Sequence, residues 1–184
     1  MLTRDQALSM LQEYNVTPSL LRHALASEAV MGALARKLGE DENLWRLTGL
    51  LHDLDFPQTE NTPELHGLEG ARILADQLPE EALQAIKAHN SELNKVSPAS
   101  KMDYALRCGE TVTGLIQAAA LMRPTGFEGM QVKSVKKKMK DKAFAANVNR
   151  DNIRQCEYCD LALDEFLELA VIAMTEIQEE LLKK

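Results

Sequence analysis

The sequence has few aromatic residues and no long uninterrupted apolar run. Aromatic side chains make up 4% of the 184 residues, whereas alanine, leucine, glutamate and lysine are abundant. This balance favours helices over strands. No run reaches the roughly eighteen apolar residues that a membrane span needs, so we expect no transmembrane helix. The N-terminal segment 1–14 contains acidic residues and lacks the apolar core and cleavage site of a signal peptide.

Cysteine is also scarce, and acidic residues outnumber basic ones. Three cysteines, Cys108, Cys156 and Cys159, are an odd number that does not suit a disulfide framework and is typical of a reducing compartment. We therefore expect a soluble cytoplasmic protein. The formal net charge of −7 argues against general nucleic-acid binding, which usually needs a basic surface. The length is sufficient for one domain with a sizeable core, and we expect residues 1–184 to form it.

Apolar residues recur at helical spacing along almost the whole chain, and no segment has the alternating pattern of a strand. The pattern therefore predicts an all-α fold. Thr17-Pro18 is a typical helix start, and Gly39 is a typical stop after Leu38. Further helices are predicted over 42–52, 66–78, 79–90, 97–122 (with Ser97-Pro98 as the cap), 133–142, a short segment after Asp151, and 164–182. Two prolines predict a loop over 55–63.

The chain contains only four histidines, and each lies on or at the end of a different predicted helix. They are His23, His52, His66 and His89. A lone histidine on an amphipathic helix is more often a core or surface residue than a ligand. Neutral imidazole is nevertheless the commonest metal ligand, and helical proteins build metal sites by converging such side chains on the core. The hypothesis of a metal site therefore rests on the whole set.

The His52-Asp53 pair is the sharpest local feature. It stands at the end of the apolar helix 44–51, where the chain enters the polar loop. At a helix end the two side chains diverge by about 100°, so both can approach one cavity. A carboxylate also has two oxygens to share between two metals. The dipeptide is common by chance, so it gains weight only together with the other histidines.

The order of these residues resembles the HD superfamily of metal-dependent phosphohydrolases, in the form that supports two metals. The segments that carry the resemblance are 22–24, 50–55, 66–74 and 86–90, and segment 113–138 is similar to a subfamily of small, single-domain HDIG-type proteins. The resemblance covers about residues 20 to 150. It implies a single compact HD-type helical bundle, with residues 151–184 packing on it.

The resemblance also implies a set of metal ligands. They are His23, His52, Asp53, His66, His89 and an acidic residue near position 110. Where the family usually has aspartate, five residues before Leu115, this chain has Glu110. Asp103 lies seven residues earlier on nearly the same helix face and is the alternative. We expect Glu110 to complete a first site with His23, His52 and Asp53, and a second site to consist of Asp53, His66 and His89.

The resemblance implies hydrolysis of a small phosphorylated metabolite, with a nucleotide favoured, by metal-activated water. The nitrogen and oxygen ligand set, with one or two ions bound, favours Mn, Fe, Co, Ni or Mg over structural zinc. His52 and Asp53 are assigned catalytic roles, and Lys87 is a candidate contact to a substrate phosphate, as is Arg72. We expect neither a nucleic-acid polymer nor a membrane as partner. A non-catalytic metal- or nucleotide-binding module and a di-iron oxygenase remain open alternatives.

Two other features are weaker candidates. Cys156 and Cys159 have CxxC spacing, but no second pair completes a four-cysteine zinc site. Segment 133–142 carries six lysines against Asp141. A solvated helix face is the favoured interpretation, and a phosphate-facing wall is the alternative. Gly67 and Gly70, after His66, are expected to allow close helix packing.

Overall fold

The computed structural model describes residues 2–183, and regular secondary structure in this range is helical throughout. The helices are α1 Arg4–Glu13, α2 Pro18–Leu38, α3 Glu42–Leu51, α4 Phe56–Thr59, α5 Leu68–Ile73, α6 Glu80–His89, α7 Ser91–Asn94, α8 Lys101–Leu121, α9 Val132–Lys140, α10 Arg150–Arg154, α11 Leu163–Glu176 and α12 Gln178–Leu181. A 3₁₀ helix, Gln155–Cys159, lies between α10 and α11. No strand occurs within residues 2–183, so the predicted all-α fold class is confirmed.

Both ends of α2 agree with the sequence prediction. The Thr17 hydroxyl accepts a hydrogen bond from the Leu20 amide at 3.2 Å, and Pro18 occupies the first helical position. The helix ends at Gly39, whose φ of 75° is in the left-handed region that glycine adopts without strain. These signals act over a few residues, which is why the sequence alone locates them.

The start of α8 differs from the prediction, because the cap is Ser100 and not Ser97. The Ser100 hydroxyl accepts from the Asp103 amide at 3.1 Å, and the Asp103 carboxylate accepts from the Ser100 amide at 3.1 Å. This reciprocal capping box satisfies two amides that the helix leaves without partners. Ser97 has no acidic residue three positions later to form one.

Other boundaries also shift. The predicted loop 55–63 contains the single turn α4, and α7 follows α6 directly where no helix was predicted. The predicted helix 66–78 shortens to α5, which ends at Ile73. It begins only at Leu68, because Gly67 has a φ of 82° and cannot continue a helix N-terminally. The predicted helix 164–182 divides at Ile177 into α11 and α12.

The two longest helices, α2 and α8, lie at the centre of this compact helical domain. The first packs against α3, α8 and α11, and the second packs against α6, α10 and the 3₁₀ helix. Helix α3 approaches α2 closely at Gly49, where a Cβ atom would lie 2.7 Å from the Ser27 carbonyl oxygen. The glycine therefore lets the C-terminal end of α3 lie beside the N-terminal half of α2. Within residues 2–183, none of the helices combines the length and apolar character that crossing a bilayer requires.

Candidate metal centre

The side chains of all four histidines converge on the Asp53 carboxylate, just after α3. Asp53 Oδ1 lies 3.1 Å from His66 Nε2, 3.3 Å from His52 Nε2 and 3.4 Å from His89 Nε2. Asp53 Oδ2 lies 3.6 Å from His23 Nε2. One imidazole each comes from α2, the C-cap of α3, the turn before α5, and α6. The structure thus brings together five predicted ligands that are spread over 67 residues of sequence, from His23 to His89.

The ligands form two halves of one centre that share Asp53. The first half contains His23 and His52, and the second contains His66 and His89. The Nε2 atoms of His23 and His52 are 3.2 Å apart, and those of His66 and His89 are 3.0 Å apart. In each half, the two imidazole nitrogens and one oxygen of Asp53 lie within 4.8 Å of one another. Either half can hold a metal ion.

The outward-facing nitrogens fix the tautomers of His52 and His89. His52 Nδ1 lies 2.8 Å from the Gly49 carbonyl oxygen, and His89 Nδ1 lies 2.5 Å from that of Ile86. A carbonyl oxygen only accepts hydrogen bonds, so each Nδ1 must carry the proton. In the neutral rings, each Nε2 therefore presents a lone pair to Asp53.

The Nδ1 atoms of His66 and His23 also carry the proton in the neutral rings. His66 Nδ1 donates to the Asp55 carboxylate at 2.9 Å. His23 Nδ1 lies 3.0 Å from the Thr113 hydroxyl, which itself donates to the Glu110 carbonyl at 2.7 Å and so accepts from His23. Four neutral imidazoles would then direct four lone pairs towards one carboxylate. This arrangement needs positive charge among the lone pairs, and the donor set fits a divalent metal ion.

Asp55 is a functional residue that the sequence reasoning did not assign. It is fully buried, and its Oδ2 accepts from the amides of Gly67 at 2.8 Å and Gly70 at 2.9 Å. A Cβ atom at Gly67 would lie 2.7 Å from the Ile86 carbonyl oxygen, so the turn also needs glycine for space. Asp55 therefore fixes both the turn before α5 and the ring of His66. In the sequence it resembles any other loop carboxylate.

The two candidates for the last acidic ligand occupy different surroundings. Glu110 Oε2 lies 3.8 Å from His23 Nε2, and its other carboxylate oxygen accepts from the Thr111 hydroxyl. Asp103 is fully buried in the capping box at the start of α8. Seven residues at about 1.5 Å each separate their backbones by about 10 Å along the helix. The structure therefore places Glu110, and not Asp103, beside the first half of the centre.

The two candidate phosphate contacts do not reach the centre. Lys87 Nζ pairs with Glu80 at 2.9 Å, and Arg72 pairs with Glu69 at 2.7 Å with its side chain 72% exposed. Lys87 precedes His89 by two residues, which corresponds to about 200° around a helix, so the two side chains face opposite ways. We assign Lys87 no catalytic role.

The remaining sequence candidates also lie apart. Lysines of α9 line a separate cleft with Asp164, and none of them lines the cleft that lies above the metal centre. The solvated-face interpretation of the lysine segment therefore fits the structure better than a phosphate-facing wall.

Cys156 and Cys159 are buried in the hydrophobic core as free thiols. Neither cysteine belongs to a metal-capable group among the described residues.

Burial and mutual charge shift the pKa values in the centre strongly. Burial lowers the pKa of His52 to about 3, although the Asp53 charge opposes the shift. Burial also disfavours the charged form of His66, but hydrogen bonds to Asp53 and Asp55 outweigh it and raise the pKa of His66 to about 10. Burial similarly opposes ionisation of Asp53, yet the four surrounding imidazoles hold the pKa of Asp53 well below its usual range. Without an ion, the centre therefore takes up a proton on His66.

Above the centre lies an open cleft of about 540 Å³. Its floor contains His23, Asp53, His66, His89 and Glu110. Its wall is formed largely by Asn147, Val148, Asn149 and Asn152, together with Asn90, Glu92 and Phe56. Burial raises the pKa of Glu110 on this floor to about 8. The volume is in the range of small-molecule sites.

Comparison with known proteins agrees with this geometry. The sequence model of the family described as "HD domain" matches residues 20–122, which include the four histidines, Asp53 and Glu110. Ribonuclease Y from Lawsonia intracellularis (strain PHE/MN1-00) is 27% identical over 106 residues. These residues are 57% of this chain but only 20% of the ribonuclease. No solved structure gives a significant match.

Proposed function

The chain belongs to the HD-domain family, and on that premise we propose that it is a phosphohydrolase for a small phosphorylated metabolite, with a nucleotide as the favoured class. HD domains bind divalent metals, and the family consists generally of metal-dependent phosphohydrolases. The observation that carries the proposal is the set of four imidazole nitrogens around the Asp53 carboxylate.

Two ions can be assigned to the two halves of the centre. His23, His52, Asp53 and Glu110 would hold the first, and Asp53, His66 and His89 would hold the second. These ligands offer only nitrogen and oxygen, without thiolate. The ligand chemistry favours Mn, Fe, Co, Ni or Mg over a structural zinc ion.

A divalent ion in such a site lowers the pKa of water and withdraws charge from phosphoryl oxygens. The chain's own residues supply orientation and a shaped cleft. Asp55 and Thr113 hold the rings of His66 and His23 from behind, so that their Nε2 atoms face the cleft floor. Asp53 serves both halves and keeps them adjacent, which suits a reaction that stabilises two oxygens of one phosphate.

The similarity to a ribonuclease raises RNA as an alternative substrate. Affinity for an RNA backbone comes largely from lysine and arginine contacts to successive phosphates. Among the described residues, the cleft lining includes neither lysine nor arginine, and the chain's formal net charge is −7. These observations support a small substrate over a polymer.

The test is a phosphatase assay on protein that has been stripped of metal and reloaded separately with Mn, Fe, Co, Ni or Mg. We expect at least one ion to support turnover of p-nitrophenyl phosphate, and an RNA oligonucleotide to be a poor substrate. Tight metal binding without turnover of any phosphoester would contradict the proposal and favour a non-catalytic binding module. Iron-dependent oxygen consumption in place of phosphate release would favour an oxygenase.

A further inference from the structure

Given the proposed phosphohydrolase site, we infer that its substrates carry a single phosphate on a neutral, hydrogen-bonding leaving group, and that the site discriminates against di- and triphosphates. The charge and the available hydrogen-bonding groups of the cleft wall determine which substrates fit. This preference goes beyond the family assignment, which does not specify the leaving group.

The wall offers no cation for a second phosphate. Beyond the metal-binding floor, its polar lining consists mainly of asparagines, with Glu92 as an additional negative charge. Within the described residues, lysine and arginine are missing from this lining. A further phosphate would lose hydration against this wall without gaining a partner of opposite charge, which is unfavourable.

Arg107 lies behind the wall, but its donors are already engaged. It is 2% exposed, and its guanidinium donates to the carbonyls of Ala88 and His89, each at 2.9 Å. It also donates to Glu92 at 2.6 Å, and to Asn152 and Gln155 at 3.0 and 2.8 Å. An arginine has five N–H donors, so none remains for a substrate phosphate. Arg107 instead ties the wall to the backbone of the ligand His89.

Uncharged hydrogen-bonding groups do remain available. Within residues 2–183, the exposed Asn147 side chain makes no hydrogen bond, so its amide can both donate and accept. The Asn149 oxygen caps α10, which leaves its amide hydrogens for a ligand. The Asn90 amide nitrogen donates to Pro63 and His66 carbonyls, which leaves its oxygen as an acceptor. Hydroxyl and amide groups of a sugar or a base match these partners.

The side chain of Arg22 offers a competing route for a second phosphate. Arg22 lines a neighbouring cleft of about 310 Å³, and the two clefts share His23 and Gly114. A second phosphate that extends past Gly114 into that cleft could be neutralised there. The Arg22 side chain already has a weak contact of 3.5 Å to the Lys183 carbonyl oxygen. The experiment therefore has to show whether a second phosphate lies against the asparagine wall or extends towards Arg22.

The experiment measures kcat/KM of the metal-loaded protein for adenosine mono-, di- and triphosphate. We expect the monophosphate to be favoured by about tenfold or more. Asn147→Lys should raise the ratio of diphosphate to monophosphate activity several-fold, because it supplies the missing cation. Gln77→Lys adds the same charge at an exposed position outside the cleft and should leave that ratio unchanged. Asn147→Ala should lower activity on adenosine monophosphate more than on p-nitrophenyl phosphate.

Equal or better hydrolysis of the diphosphate would overturn the inference while leaving the phosphohydrolase proposal intact. Loss of that activity in Arg22→Gln would then assign the second phosphate to the neighbouring cleft. If no phosphoester is hydrolysed with any metal, the proposed function fails, and calorimetric binding of the mono- and diphosphate decides the inference separately. Tighter binding of the monophosphate would support it, whereas equal binding, tighter diphosphate binding or no binding of either would overturn it.

Discussion

His66 and His89 bring their Nε2 atoms to within 3.0 Å of each other, while the Nδ1 atom of each ring faces an acceptor on the opposite side. Two imidazoles held in this way need a cation between them or a proton shared with Asp53. His23 and His52 repeat the relationship on the other side of the same carboxylate.

Replacing His66 or His89 by alanine should reduce the bound metal from about two ions per chain to about one. The reason is that both rings belong to the second half of the centre, whereas His23 and His52 retain the first. Elemental analysis after dialysis against a saturating metal solution measures the ratio. A wild-type ratio that never exceeds one would contradict the two-ion arrangement.

Asp55 and Thr113, which hold the rings of His66 and His23, should affect different metal sites. Asp55→Asn removes the charged acceptor of His66, and Thr113→Val removes the acceptor of His23. Loss of such supporting partners typically weakens metal affinity by about 10–100-fold. We expect Asp55→Asn to weaken the second ion and Thr113→Val the first, as measured by chelator competition. Thermal melting curves control for loss of fold, and equal effects of both variants on both ions would contradict the assignment.

Glu110→Gln should weaken the first ion strongly, whereas Asp103→Asn should leave both affinities nearly unchanged. Glu110 faces His23 across 3.8 Å, whereas Asp103 is enclosed in the capping box. Asp103→Asn should instead lower the melting temperature, because a capping interaction is worth about 1 kcal/mol. A metal-loaded crystal structure with Asp103 in the coordination sphere would reverse the assignment.

Glu110 should also make the stability of the metal-free protein depend on pH. Burial raises the pKa of Glu110 from 4.5 to about 8, so the folded state holds this proton more tightly than the unfolded state. The stability that it contributes is complete below about pH 4.5 and is lost as the pH rises through about 8. Glutamine cannot ionise, so Glu110→Gln should become progressively more stable than wild type over that range. Urea denaturation in chelator at a series of pH values tests this, and a difference that is independent of pH would refute it.

Local signals were sufficient to predict parts of the fold. Thr17, Pro18 and Gly39 fix the ends of α2 through contacts within one helical turn, and these ends agree with the structure. Ser97 was the wrong cap for α8, because the reciprocal bond between Ser100 and Asp103 outweighs a serine followed by proline. A local capping pattern therefore locates a helix end where no second candidate cap lies nearby.

The site could be predicted only in part. The convergence of the histidines was expected from their places on four different predicted helices together with the family resemblance, because helical periodicity alone does not specify which faces meet. The role of Asp55 depends on a turn 11 to 15 residues later in the chain, which no local pattern reveals. Lys87 was proposed from its closeness to His89 in sequence, but a spacing of two residues on a helix points the side chains apart.

The most direct test of the central claim is the metal content and phosphatase activity of Asp53→Ala beside wild type, with Asp76→Ala as an exposed control outside the centre. Asp53 is the one carboxylate shared by both halves, so we predict that Asp53→Ala loses both ions and all phosphoester hydrolysis while its far-UV circular dichroism stays helical. Asp76→Ala should match wild type in all three measurements. An Asp53→Ala protein with a full metal complement and normal turnover would contradict the account.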